Sequence, residues 1–185
     1  MRSPARLLAA STCGAVAIDP RTATVVWRHE LQDQAPYLKD KTLYFRDTAF
    51  DAGTGRQLWQ VPGTSYGTAL PAAGALYVES FNEMWALNAQ TGERLWQTMG
   101  LDRGTMLLAS GSLFLVGGRE TWALNPEDGG STLWHSPVGD GAPANRPSCS
   151  PPVALADTLI VNETCGLVRG LDIHTGRPRW QRPGL

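Results

Sequence analysis

Apolar residues in this chain come in short runs broken by tight polar clusters, and nowhere does an apolar spacing of helical period persist long enough to make a helix. Val16-Ala17-Ile18 is answered across a polar stretch by Thr24-Val25-Val26-Trp27, the signature of a β-hairpin. Thr42-Leu43-Tyr44-Phe45, Ala75-Leu76-Tyr77-Val78, Ser112-Leu113-Phe114-Leu115-Val116 and Thr158-Leu159-Ile160-Val161 read as further strands. Weaker runs around 36–38, 67–71, 106–109 and 152–155 precede them, across turns such as Lys39-Asp40-Lys41 and Ala73-Gly74. The pattern predicts an all-β chain.

An eleven-residue phrase punctuates these strands: small residue, any, Asp or Asn, two of any kind, Thr, Gly, three of any kind, Trp. Its clearest copies are Ala49 to Trp59, with Asp51, Thr54 and Gly55, and Ala86 to Trp96, with Asn88, Thr91 and Gly92. A third runs from Gly170 through Asp172, Thr175 and Gly176 to Trp180. Two copies are degraded: Ala17 to Trp27 carries Ala23 in place of the glycine, and Ala123 to Trp134 reads Asn125, Asp128, Gly129 with one residue inserted. The closing tryptophans stand at 27, 59, 96, 134 and 180, a period that drifts from 32 to 46 residues and implies a solenoid, propeller or array.

Each copy has the form of a hairpin whose Asp or Asn side chain bonds backbone amides two residues on, while Thr-Gly suits a type I turn followed by a residue of positive φ. Gly55, Gly92 and Gly176 are therefore backbone choices, and the Asp and Thr serve turns rather than catalysis. At Ala23 the same conformation costs about 1 kcal/mol or more, so that turn is expected to be distorted. A large apolar side chain closing every copy is expected to be buried between repeats, which makes Trp27, Trp59, Trp96, Trp134 and Trp180 the docking residues. Trp85 and Trp122 precede the small residue by one position and are expected on the opposite face of their strand.

Two strands before each hairpin bring the repeat to four, the blade of a β-propeller. The chain is then one array over residues 1–185, with approximate blades 1–30, 31–63, 64–100, 101–137 and 148–185. Leu7 to Ser11 reads as the second strand of a blade lacking its first, which makes the count just short of five blades: either a small five-bladed ring with an open seam or, favoured because exposed sheet edges are a liability that closure removes, a portion of a seven- or eight-bladed ring.

Composition narrows the function. A net charge of −1 with interspersed signs offers no field for nucleic acid or anionic membrane, and no run approaches the ~20 apolar residues of a membrane span. Fourteen arginines against two lysines reflect a coding bias, since no arginine cluster is visible. Met1 to Gly14 superficially resembles a leader ending at a lipoprotein-type cysteine, but its apolar stretch Leu7 to Ala10 is shorter than a signal core needs.

The phrase strongly resembles the tryptophan-docking motif of the PQQ-like β-propeller repeat, and the likeness covers nearly the whole chain. That resemblance implies one of two kinds of protein. Quinoprotein dehydrogenases bind pyrroloquinoline quinone and Ca²⁺, whereas BamB-like propellers are cofactor-free scaffolds of outer-membrane assembly. The dehydrogenases share a pair of adjacent cysteines, and here Cys13, Cys149 and Cys165 stand apart. The reading is accordingly a non-enzymatic scaffold or binding module without cofactor or metal, which meets an unidentified protein partner, or a ligand, through its loop faces. Its alternatives are a portion of a quinoprotein dehydrogenase and a sensor domain of a larger receptor or kinase. The resemblance also implies an extracytoplasmic location.

Other candidate chemistry is sparse. His29, His135 and His174 occupy unrelated places in their repeats and have no metal-ligand spacing. Gly117-Gly118 and Gly129-Gly130 are turn glycines, and Asn162-Glu163-Thr164 matches a glycosylation sequon by pattern only. Blade topology puts Cys149 and Cys165 on one face, where a disulfide between them would imply an oxidising compartment. The Pro- and Gly-rich stretch 138–151 reaches the same face as a surface loop, with Asp140, Asn145 and Arg146 as candidate partner contacts.

Overall fold

The computed structural model describes residues 7–11, 14–30, 36–62, 68–80, 82–137, 150–163 and 166–183. Every regular element among them is a β-strand. The first sheet holds β1 (Leu7–Ser11), β2 (Gly14–Asp19) and β3 (Thr24–Glu30) in that order. Four four-stranded sheets follow, each with its strands in chain order. They comprise β4 (Tyr37–Lys39), β5 (Thr42–Phe45), β6 (Thr48–Asp51) and β7 (Gln57–Gln60); β8 (Ala69–Ala72), β9 (Ala75–Ser80), β10 (Glu83–Asn88) and β11 (Arg94–Met99); β12 (Gly104–Ala109), β13 (Ser112–Gly117), β14 (Glu120–Asn125) and β15 (Ser131–Pro137); and β16 (Val153–Leu155), β17 (Thr158–Glu163), β18 (Leu167–Asp172) and β19 (Pro178–Pro183). The fold is all-β, built of about five antiparallel blades of the β-propeller type.

Burial follows position in the blade. Residues of β9 are buried throughout, Glu79 and Ser80 included, and those of β13 nearly so. Outermost strands such as β19 are exposed along their whole length. The core therefore lies between sheets. Ala15, Ala17 and Trp27 of the first sheet pack with Leu43 and Phe50 of the second, and Phe114, Val116, Ala123 and Trp134 of the fourth pack with Leu159, Val161, Leu171 and Ile173 of the fifth. Contacts divide the chain into two compact units, Met1–Val78 with Leu87–Glu93, and Glu79–Ala86 with Arg94–Leu185.

First and second strands are joined in four blades by two-residue turns, fixed by the pairs Lys39↔Thr42, Ala72↔Ala75, Ala109↔Ser112 and Leu155↔Thr158. Each turn opens with a non-glycine residue at positive φ, namely Asp40, Ala73, Ser110 and Ala156. That geometry matches the right-handed twist of the strands it joins.

Candidate functional site

The polar residues of the repeated phrase hold their own turns. Asp51 Oδ1 accepts from the Gly53 amide at 3.1 Å and from the amide and hydroxyl of Thr54 at 2.8 Å each, and the Gly55 amide closes on the Asp51 carbonyl at 2.8 Å. Asn88 repeats this with the amides of Gln90 and Thr91, and Asp172 with His174 and Thr175. Gly92 and Gly176 close their turns at 2.8 Å, with φ of 75° and 69°.

The first turn differs from the expected distortion. Ala23 takes φ of 55°, and its amide reaches the Asp19 carbonyl at 2.8 Å, as in the glycine copies. Backbone bonds win over the steric cost of the left-handed region. Replacing Ala23→Gly is expected to raise the unfolding free energy by about 1 kcal/mol in urea denaturation, whereas a loss of stability would show that Ala23 carries no strain.

Four tryptophans reach from one blade into the turn of the next. The indole N–H of Trp27 donates to Ala52 O at 3.1 Å, Trp59 to Ala89 O at 3.2 Å, Trp96 to Pro126 O at 2.9 Å and Trp134 to Ile173 O at 3.1 Å. Each acceptor is the residue directly after the Asp or Asn of the turn. The rings cover the turn glycines: a Cβ on Gly55, Gly92, Gly130 or Gly176 would stand no more than 2.8 Å from the nearest ring carbon. In the degraded fourth copy the insertion falls within the turn, so Gly130 rather than Gly129 lies beneath the indole.

The small residue of the phrase has its own reason. A bulge at Ala17/Ile18, Ala49/Phe50, Ala123/Leu124 and Gly170/Leu171 sets each small residue opposite the closing tryptophan, as in Ala17↔Trp27 and Ala123↔Trp134. A larger side chain there would block the indole on its way to the next blade. Trp180 departs from the expectation of burial, with 37% exposure against 8% for Trp27 and 9% for Trp134. It lies on the last described strand, its indole reaches no turn of another blade among the described residues, and its ring folds back over Gly170, where a Cβ would run into it.

Away from the turns, Trp85 is buried with the Arg94 guanidinium 5.6 Å above its ring, and Trp122 stacks on His135 at 4.9 Å, so both are covered by polar residues of the neighbouring strand. His135 also meets Glu120 at 3.2 Å. His29 Nε2 lies 2.6 Å from Gly55 O, and His174 lies 3.9 Å from Asp157. At the end of the blades opposite the docking turns, buried Arg169 of β18 donates to Pro137 O of β15 at 2.8 Å and approaches the Ser136 hydroxyl. The fourth and fifth blades are thus clamped at both ends, by Trp134 and by Arg169. Among the described residues no group of three His, Cys, Asp or Glu is placed to hold a metal ion. Cys13, Cys149 and Cys165, and the loop residues Asp140, Asn145 and Arg146, lie outside the described residues.

Two of the turn carboxyls are held below the ordinary carboxylate range. For Asp51 the leading cause is the Thr54 hydroxyl, and for Asp172 the Arg179 guanidinium at 2.5 Å followed by the Thr175 hydroxyl. A carboxyl whose folded pKa is depressed adds stability above its unfolded value near ~3.9 and loses it as pH falls through the folded one. Urea midpoints are expected to drop below about pH 4. The double substitution Asp51→Asn and Asp172→Asn is expected to flatten that drop, since Asn88 builds the same turn without a charge. An unchanged acid profile would contradict this.

The family described as outer membrane protein assembly factor BamB matches residues 46–184. Among solved structures, BamB from Moraxella catarrhalis aligns with a TM-score of 0.72 at 18% identity, over 97% of this chain and 61% of its own. Quinohemoprotein alcohol dehydrogenase from Comamonas testosteroni gives 0.72 at 15%, over 98% and 42%. The computationally designed Ika8 protein gives 0.73 at 13%, over 100% and 60%. At these identities the likeness is one of fold, and the chain spans less than two thirds of each of these structures. No curated protein matches the sequence.

Proposed function

This chain belongs to the family of the outer membrane protein assembly factor BamB, and from that premise we propose that it is a non-enzymatic propeller scaffold that presents its loop faces to a protein partner, without cofactor. One observation carries the reading: the polar side chains that recur in every copy of the phrase are engaged within their own turns, as Asp51 is with Gly53 and Thr54. What recurs is thus a device for joining rigid blades, and binding is left to the loops the blades carry. The family name points to a component of outer-membrane protein assembly as the partner.

The test is capture of such a component by tagged, cross-linked chain in its native host. Asp140→Arg with Arg146→Asp is expected to cut capture at least tenfold, and undiminished capture would remove the 138–151 loop from the proposal. Pyrroloquinoline quinone with Ca²⁺ is expected to give neither thermal stabilisation nor dye-linked alcohol oxidation. Either response would transfer the chain to the quinoprotein oxidoreductases.

A further inference from the structure

A cavity of about 330 Å³ opens between the second and third blades at their docking-turn ends. Its walls come from three hairpins: the β4–β5 turn with Lys39 and Lys41, the β8–β9 turn after Pro71, and the Asn88 turn with Ala89. The volume is at the lower end of the range of about 300–1,000 Å³ typical of small-ligand sites. Pro71, Ala75 and Ala89 give it small apolar walls.

Two observations set its chemistry. Lys39 and Lys41 are the chain's only lysines, against fourteen arginines, and both line this one cavity. An ammonium is a compact point charge with three rotatable donors on a flexible stem, so two of them can converge on one small anion. Lys39 Nζ donates to Pro71 O, a neighbour in the cavity wall, at 3.3 Å, and two of its three donors remain for a ligand. Asp40 stands between the lysines and leaves the rim with a net single positive charge.

The walls are also fixed in advance. The Tyr44 hydroxyl and the Trp59 indole N–H both donate to Ala89 O at 3.2 Å, the Ala89 amide donates to Gly74 O at 3.0 Å, and the Ala52 amide to Lys41 O at 2.8 Å. A pocket held open by such bonds spends little of its binding energy on ordering itself.

We propose that this cavity binds a carboxylate with a small apolar body, its charge met by Lys39 and Lys41 and its body seated against Pro71, Ala75 and Ala89. Such a ligand can be a free organic acid or the carboxyl-terminal residue of a peptide. The site needs no part of the 138–151 loop, so it stands or falls separately from the partner-capture experiment.

Because these are the only side-chain amines, acetylation read by mass spectrometry reports on the site alone, with the α-amino group as internal reference. Saturating 3-phenylpropionate is expected to slow acetylation of Lys39 and Lys41 at least fivefold relative to that reference, and 3-phenylpropanamide to leave it unchanged. Calorimetry with Lys39→Gln and Lys41→Gln together is expected to show at least tenfold weaker binding at an unchanged melting temperature. Stronger protection by Ala-Ala-Phe with a free carboxyl terminus assigns the site to a peptide end, and equal protection assigns it to a free acid. Equal slowing by the amide or by inorganic phosphate, no slowing at all, or unweakened binding by the double variant would overturn the proposal.

Discussion

Trp134→Ala is expected to lower the unfolding free energy by about 3–5 kcal/mol, the cost of emptying a buried aromatic site. The indole is 9% exposed, packs 5.8 Å from Phe114 and bonds Ile173 O, which would be left without its donor. Trp27→Ala should cost a similar amount, since that ring sits equally deep and bonds Ala52 O. Trp180→Ala is the control. Its ring is 37% exposed and meets no turn of another blade among the described residues, so its removal should cost about 1 kcal/mol or less. Urea denaturation of the three variants decides the matter, and equal losses at Trp134 and Trp180 would contradict the docking role.

The second large effect is at the turn glycines. Gly176→Ala meets two penalties, about 1–2 kcal/mol for a Cβ in the left-handed region and about 1–3 kcal/mol for forcing that methyl into the Trp134 ring. Gly111→Ala meets the first alone: its φ is 75°, and nothing lies within 4 Å of the added carbon. The two substitutions separate conformational strain from lost docking. Gly176→Ala should be the more destabilising by about 2 kcal/mol, and should also red-shift and quench the emission of the displaced indole. Identical losses would mean that no ring rests on the turn.

Why a sequence reading goes so far in this chain is visible in the turns themselves. Asp51, Thr54 and Gly55 act on backbone groups within four residues, so local chemistry determines them and the pattern exposes them. The all-β, bladed architecture is legible for the same reason. Other features depend on register or on separate hairpins. The small residue opening each phrase makes sense only once a bulge is seen to place Ala49 across from Trp59. Ala23 was expected to distort its turn, yet its amide bond to Asp19 O keeps the ordinary geometry. Trp180 carries the same letter as Trp134 and has a different environment, because its ring lies over Gly170 of its own sheet while that of Trp134 reaches the Asp172 turn. Lys39 and Lys41 register in the sequence only as a scarcity of lysine, since the cavity beside them is completed by Pro71 and Ala89, which are distant in sequence.

The docking geometry also bears on what the protein can do. A blade joined to its neighbour by an indole at one end and, in the case of Arg169, by a guanidinium at the other leaves little freedom at the junction. Such a junction suits a pair of blades that present their loops in a fixed arrangement.

Hydrogen exchange of the indole N–H groups, assigned by single Trp→Phe substitutions, tests the central claim most directly. Trp27, Trp59, Trp96 and Trp134, each bonded to a turn carbonyl, should exchange slowly, and Trp180 at close to the free rate. Fast exchange at the four, or protection of Trp180 equal to theirs, would contradict the picture of blades locked by tryptophan.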